Sequence, residues 1–206
     1  DSNKFHIAAI NRKYELVYIM FDGKSWKREV LYFHNNELGI PNGPAIMARN
    51  NFICIIFSFI NMGKKKTWSL WSYIKENDVW HRKILDKASG LCYNQHSFNI
   101  DNDGNVHLVY RYIDERKRCS VLKYNFLDRR IKKWSRARII YDNGIDKYKP
   151  YIFINKLNQV YIAWVEIDSD LYLCSGTRSS NGDYFKLNIT ESVDCMCILD
   201  DREHIQ

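Results

Sequence analysis

Short apolar segments separated by polar turns extend along the whole chain, and in many of them apolar and polar positions alternate. Residues 106–112 (VHLVYRY) are a clear example, and the Asn102-Asp103-Gly104-Asn105 sequence before them is typical of a tight turn. β-branched and aromatic residues are enriched in these segments, and no segment of helical length has a 3.6-residue period. The pattern therefore predicts antiparallel β-strands throughout and an all-β fold.

The predicted strands recur as a repeat of about 54 residues. A tryptophan before a polar stretch recurs at this spacing, at Trp26, Trp80 and Trp134. The apolar segments that begin at residues 52, 106 and 160 have the same spacing. Four strands fit each repeat, and in the third repeat they are residues 97–101, 106–112, 121–126 and 134–140. Four-stranded repeats of this length are typical of β-propeller blades, and we expect the tryptophans to pack between blades.

The repeats divide a single β-propeller domain, residues 1–206, into four blades. The blades are residues 1–43 together with 193–206 (blade 1), residues 44–94 (blade 2), residues 95–147 (blade 3) and residues 148–192 (blade 4).

The split of blade 1 predicts how the ring closes. Residues 194–199 (DCMCIL) would pair with residues 5–10, which leaves no exposed sheet edge. Residues 201–205 also resemble residues 2–7, so the alternative is a fragment of a larger ring. A fragment would self-associate through its unpaired edges, and the oligomeric state therefore stays open.

One copy of the repeat resembles a known family. Residues 100–110 (IDNDGNVHLVY) are similar to the turn and second strand of bacterial β-propellers of the sialidase-like, BNR-like and NHL-like kinds. At the level of the repeat the resemblance covers essentially the whole chain, although only this copy is close. The Asp-box of sialidases (S-x-D-x-G-x-T-W) and the Trp-Asp dipeptide of WD repeats are both absent. The resemblance implies a propeller architecture and no particular activity.

Catalytic motifs do not single out an active site. The chain contains no G-x-S-x-G, H-E-x-x-H, P-loop or G-x-G-x-x-G sequence. Sialidase-like catalysis would need an arginine group, a tyrosine and nearby acids. Three residues near predicted first strands, which line propeller channels, are channel candidates: Arg49, Tyr93 and Tyr148. No catalytic residue is assigned, and whether the chain is an enzyme stays open.

Basic residues form the most distinct surface feature. The net charge is +7, which favours anionic partners. Loops that join second to third strands lie on one face of a propeller, and two of them supply the candidate ligand-binding rim: Lys64, Lys65, Lys66, Arg116, Lys117 and Arg118. A further basic stretch, residues 128–133, falls on the opposite face. This distribution, without aromatic–basic interleaving, argues against a nucleic-acid platform.

Cysteine and histidine spacing excludes common cofactor sites. None of the six cysteines has a C-x-x-C partner, so free thiols in a reducing, cytoplasmic compartment are favoured. The histidines lack metal-ligand spacing, and His6 and His107 occupy the same position of the repeat. We therefore expect no metal and no other cofactor. No apolar run is long enough to span a membrane.

These observations favour a non-enzymatic binding propeller that presents a rim or central channel to a protein or glycan ligand. The alternative is a glycan-active enzyme of sialidase-like architecture, which paired carboxylates and arginines in the channel would distinguish. Trp68 and Trp71 are candidates for sugar stacking. They are three residues apart on one strand, so we expect only one of them on a given surface.

Overall fold

The computed structural model describes residues 4–32, 39–49, 51–61, 66–89, 95–114, 119–141, 144, 147–166, 171–175 and 184–187. Every helix or strand assigned within these ranges is a β-strand, and all strand pairs are antiparallel. The chain forms two compact units, Asp1–Asn94 and Gln95–Gln206. The all-β prediction is confirmed.

In the first unit the described strands form two sheets, and the strands of each sheet follow the chain order. The first sheet consists of β1 (Phe5–Ile10), β2 (Leu16–Phe21) and β3 (Trp26–Tyr32). The second consists of β4 (Ile40–Arg49), β5 (Phe52–Asn61), β6 (Thr67–Glu76) and β7 (Val79–Ser89).

Aromatic side chains pack the two sheets of the first unit together. Phe59 of β5 lies between Tyr32 of β3 and Trp71 of β6, with ring centroids 4.5 and 5.4 Å apart. The apolar run of β5 is buried at nearly every position, as expected of a strand covered on both faces. Cys54 on this strand is a free thiol whose pKa is raised by burial, so it packs as a small apolar side chain.

The described strands of the second unit also form two sheets. The first consists of β8 (His96–Ile100), β9 (Val106–Asp114), β10 (Cys119–Asp128), β11 (Lys133–Trp134) and β12 (Arg138–Tyr141). The second consists of β13 (Lys147–Ile154), β14 (Val160–Glu166), β15 (Leu171–Ser175) and β16 (Tyr184–Leu187). Val109, Tyr124 and Trp164 belong to the core that joins these two sheets.

The predicted strand at residues 134–140 is wrong, because the chain forms two short strands there. β11 and β12 both pair with β10, but residues 134 to 138 oppose residues 127 to 124, so the outer strand carries one extra residue. The Ser135 side chain explains the interruption. Its hydroxyl oxygen accepts a hydrogen bond from the Phe126 amide at 3.0 Å, and its hydroxyl group donates one to Oδ1 of Asn125 at 2.9 Å. At this point of the sheet the Phe126 amide therefore donates to the Ser135 side chain.

The repeated tryptophans differ in their surroundings. Trp80 packs edge-on against Tyr18 of the neighbouring sheet at 5.1 Å, and Trp134 is buried. Trp26 is 60% exposed, so the expectation that it packs between blades is not met within the described residues. The predicted closing strand, residues 194–199, lies outside those residues, and the predicted blade boundaries remain predictions. Within the same ranges no helix has the length and hydropathy that crossing a bilayer requires.

Candidate functional site

The structure describes three of the nine candidate residues. Arg49 lies at the end of β4, Lys66 is exposed immediately before β6, and Tyr148 lies in β13. The other six lie outside the described residues: Lys64, Lys65, Tyr93, Arg116, Lys117 and Arg118. The predicted rim is therefore represented here by Lys66 alone.

A groove of about 500 Å³ follows the outer strands β6 and β7 of the first unit. Its residues come in cross-strand pairs: Thr67 with Ser89, Ser69 with Lys87, and Trp71 with Ile84. Alternation along a strand places residues 67, 69 and 71 on one face, which gathers hydroxyls, an ammonium and an indole on one surface. We call this surface the β6–β7 groove. It lies at the end of the sheet where Lys66 enters β6.

The tryptophan of the groove is held in place by a hydrogen bond. Nε1 of Trp71 donates to Oγ of Ser69 at 2.8 Å, so the Ser69 hydroxyl hydrogen is left to donate outward. Trp68 also borders the groove. β6 pairs with β5 without a register shift, so Trp68 and Trp71 lie on opposite faces of β6, as the sequence predicts. A bulge in β7 opposite Leu70 and Trp71 increases the local twist of the outer strand.

A second candidate site lies at the equivalent end of the sheets in the second unit. The guanidinium of Arg111, a residue only 6% exposed, stacks over the ring of Tyr148 at 4.5 Å. The register of β13 and β14 shifts between residues 148 and 151, and Lys149 has a φ of 47°. The Lys149 amide donates to Oε1 of Gln95 at 2.7 Å. A bulge with left-handed backbone and a stacked arginine is a locally specified arrangement.

A buried hydrogen-bond network links three residues of the third repeat. Nε2 of His107 donates to Oδ2 of Asp101 at 3.1 Å, and Nδ1 of His107 lies 2.7 Å from the Tyr124 hydroxyl, within hydrogen-bond distance. All three residues are at most 3% exposed. Burial alone would raise the pKa of Asp101, but hydrogen bonds from the Asn105 side chain, His107 and the Asn105 amide hold it below its usual range.

The first repeat contains the same histidine–tyrosine pair beside a cavity. Nδ1 of His6 and the Tyr18 hydroxyl are 2.8 Å apart. The cavity, about 550 Å³ in volume, lies between the two sheets of the first unit, and we call it the His6 cavity. Three cationic residues line it together with His6 and Tyr18: Lys4, Arg49 and Lys75. Burial and the charges of Lys4 and Lys75 lower the pKa of His6, so the imidazole is neutral at pH 7.

Glu29 joins the two sheets next to this cavity. Its Oε1 accepts from Nζ of Lys75 at 2.8 Å, and its Oε2 accepts from Nε1 of Trp80 at 2.7 Å. Burial opposes ionisation, but these two donors lower the pKa of Glu29 overall. Burial and the charges of Glu29 and Asp78 raise the pKa of Tyr18 to about 12, so its hydroxyl stays protonated. Glu29 is thus used in holding the sheets together.

Comparison with known proteins identifies the fold. No protein-family model matches the chain. No curated protein matches it either. Solved structures do match, and the endo-arabinase from Bacteroides thetaiotaomicron is one, with a TM-score of 0.55 and 14% identity over 91% of this chain and 78% of that chain.

Two further structures are similar. A protein of unknown function from Dyadobacter fermentans gives a TM-score of 0.55 at 11% identity, over 79% of this chain and 54% of that one. The NanB sialidase from Streptococcus pneumoniae gives 0.50 at 15% identity, over 80% of this chain and 26% of that one. The chain thus spans about half or less of these two proteins. At such identities the likeness shows a β-propeller-like fold and does not transfer an activity.

Sequence reasoning found some of these sites and missed others. The equivalence of His6 and His107 was visible in the repeat, and both contact a tyrosine as equivalent residues should. The polar side of the β6–β7 groove was missed, although Thr67, Ser69 and Trp71 alternate with apolar residues in the sequence. The bridge from Glu29 to Lys75 joins residues 46 positions apart and leaves no local signal.

Proposed function

We propose that this chain is a non-enzymatic binding module of β-propeller fold that presents the β6–β7 groove to a glycan. The observation that carries the proposal is the composition of the groove: hydroxyls of Thr67 and Ser69 and the ammonium of Lys87 beside an indole. Concave surfaces of this size with a few convergent polar groups are the usual form of small-ligand sites.

The chemistry of the groove matches a sugar better than a protein surface. Each sugar hydroxyl can both donate and accept a hydrogen bond. Ser69 and Lys87 lie opposite each other on neighbouring strands, so the groove offers a hydroxyl and a charged ammonium donor side by side. An indole edge provides an apolar contact for ring C–H groups. Among the described lining residues there is no carboxylate, so the groove supplies binding groups and no acid–base pair.

The predicted basic rim extends this proposal toward anionic glycans. Lys66 immediately precedes Thr67 of the groove. If the remaining rim residues follow it, ligands with carboxylate or sulfate groups bind more tightly at low salt, because exposed charges are screened over about 10 Å at 0.1 M salt. A protein ligand for the same rim and a cytoplasmic location remain proposals from the sequence.

The experiment is a glycan array followed by calorimetry with the best ligand. Lys87→Ala is expected to weaken binding about tenfold, since one charged hydrogen bond contributes about 1.5 kcal/mol or more. The matched control is Lys83→Ala, an exposed lysine on the same strand outside the groove. Equal weakening by both changes would mean that net charge alone binds the ligand. Absence of any glycan ligand would refute the proposal.

A second candidate function is a glycan-active enzyme, and the Arg111–Tyr148 stack is the observation that favours it. An arginine next to a tyrosine near a first strand is part of the group that sialidase-like catalysis would need. Tyr148→Phe keeps the ring under the Arg111 guanidinium and removes the hydroxyl. In a panel of chromogenic glycosides, activity that this change abolishes would support the enzyme, and no turnover of any substrate would exclude it for that panel.

For the architecture we propose four blades closed into one ring by strands from both ends of the chain. The four described sheets, each antiparallel and in or near chain order, support the blade count.

A further inference from the structure

β7 is a long strand at the edge of its sheet. Its eleven residues make it the longest strand in the described part of the chain, and it pairs with β6 alone among the described strands. From Val79 opposite Glu76 to Ile84 opposite Trp71 the register is unbroken, and the bulge lies beyond this stretch. Proteins commonly keep edge strands short, because an edge presents backbone groups that can pair with another extended chain.

The two faces of β7 differ over residues 79–83. On one face, Nε1 of Trp80 donates to Glu29 of the neighbouring sheet, and the Arg82 guanidinium donates to the Tyr73 hydroxyl. Alternation along the strand places three exposed side chains on the other face: Val79, His81 and Lys83. One face of this stretch is thus used within the first unit, and the other faces outward.

β7 is positively charged. Arg82, Lys83 and Lys87 against Asp86 give 3 − 1 = +2, without counting His81. Within the described residues no carboxylate pairs with the ammonium group of Lys83 or Lys87. The charge of this edge is therefore not neutralised by the strands that the structure describes around it.

This charge selects between the two kinds of chain that could pair with the edge. Two β7 edges of separate copies would bring their cations together, and like charges opposite one another destabilise strand pairing. A strand with acidic side chains meets the opposite sign, which favours its approach and its pairing. The lysines that disfavour a second copy therefore favour an acidic chain.

We propose that β7 binds an extended acidic segment of a partner protein, which adds to this sheet as a further strand. Main-chain hydrogen bonds supply the affinity, and side chains at alternate positions supply the specificity. Acidic residues two positions apart lie opposite His81 and Lys83, and an apolar residue lies opposite Val79. This activity goes beyond the proposed glycan binding, which uses the other half of β7.

The first test is an NMR titration of the isotope-labelled chain with a synthetic peptide of four Glu-Thr repeats with blocked ends, the Glu-Thr peptide. Alternation places all its glutamates on one face. Alternate N–H groups of an edge strand point away from the sheet, so saturation with the peptide should slow hydrogen exchange at every second amide of residues 79–84.

Two control peptides separate strand addition from general attraction. A Lys-Thr peptide of the same length should bind at least about tenfold more weakly, because its charge is reversed. The Glu-Thr peptide N-methylated at every residue keeps its charges but has no backbone donors, so it should leave hydrogen exchange in β7 unchanged.

The second test reverses one charge of the edge. Lys83→Glu replaces an attraction by a repulsion and should weaken binding of the Glu-Thr peptide about tenfold. It should also bind the Lys-Thr peptide more tightly than the wild type does. Lys24→Glu is the matched control, since it makes the same charge change at an exposed turn residue of the first sheet, and it should alter binding less than about twofold.

Four results would overturn the proposal. They are no binding of the Glu-Thr peptide, equal binding of its N-methylated form, equal weakening by Lys83→Glu and Lys24→Glu, and protection of β7 that rises with protein concentration without peptide. The last would show that a second copy occupies the edge. Lys83→Glu should leave glycan binding unchanged, so failure of this proposal and failure of the proposed groove are separate results.

Discussion

The buried carboxylate of Asp101 provides the sharpest stability prediction, and Asp101→Asn is the change that tests it. Three donors converge on this side chain: the Asn105 amide at 2.8 Å, Nδ2 of Asn105 at 2.9 Å and Nε2 of His107 at 3.1 Å. Asparagine has nearly the same shape but one acceptor oxygen. In the asparagine variant an NH₂ group would replace Oδ2, the oxygen that accepts from Nδ2 of Asn105 and Nε2 of His107, so these two donors would face another donor.

The magnitude follows from the burial of the network. A hydrogen bond to a charged group contributes about 1.5–3 kcal/mol, and a buried donor left without an acceptor costs a similar amount. Asn can retain the bond from the Asn105 amide, so we expect a loss of about 3 kcal/mol in the free energy of unfolding. With a urea m-value of about 2 kcal/mol/M, the unfolding midpoint falls by about 1.5 M.

The pH dependence gives the same network an independent signature. The folded-state pKa of Asp101 lies below its unfolded value, so its contribution is fully present above about pH 4 and is lost as the pH falls through the folded pKa. The difference between the wild type and Asp101→Asn should therefore be constant near neutral pH and shrink below about pH 4.

The assay is urea unfolding followed by tryptophan fluorescence, with Asp103→Asn as the control. Asp103 lies in the same turn but is exposed, and its Oδ2 accepts a 3.2 Å bond from Asn158. Exposed changes of this kind usually shift stability by less than about 0.5 kcal/mol. If Asp101→Asn and Asp103→Asn lose equal stability, or if the difference between the wild type and Asp101→Asn does not shrink at all as the pH falls below about 4, the reasoning is wrong.

Two further predictions concern the backbone and an ion pair. Gly39 and Gly144 both have φ near +90°, but a Cβ at Gly39 would lie 2.5 Å from the Ile60 carbonyl oxygen and one at Gly144 would meet nothing within 4 Å. Thermal unfolding should show Gly39→Ala at least about 2 kcal/mol more destabilising than Gly144→Ala, and equal losses would contradict the clash. Because Glu29 is 42% exposed, a double-mutant cycle of Glu29→Gln with Lys75→Met should give a coupling of about 1 kcal/mol or less; about 3 kcal/mol would contradict this.

The sequence predicted the strands well because their information is local. Alternating apolar residues and the Asn102–Asn105 turn depend on neighbours within a few positions, and the strands appear where those patterns lie. The interruption at Ser135 depends on where its hydroxyl meets Asn125, ten residues away, and no period in the sequence encodes that contact.

The candidate site was less accessible to sequence reasoning. The β6–β7 groove depends on the cross-strand register that places Ser69 opposite Lys87, and register follows from the packing of a whole sheet. Repetition helped where it existed. His6 and His107 align in the sequence, and each contacts the tyrosine at the same register position of its repeat.

The most direct test of the glycan-binding proposal is an NMR titration of the isotope-labelled chain with the strongest ligand from the array. The account predicts that the largest amide shift changes lie at Thr67, Ser69 and Lys87, and that Lys87→Ala reduces them at equal ligand concentration. Shift changes centred on Arg111 and Tyr148, with the groove unaffected, would contradict it and move the binding site to the second unit.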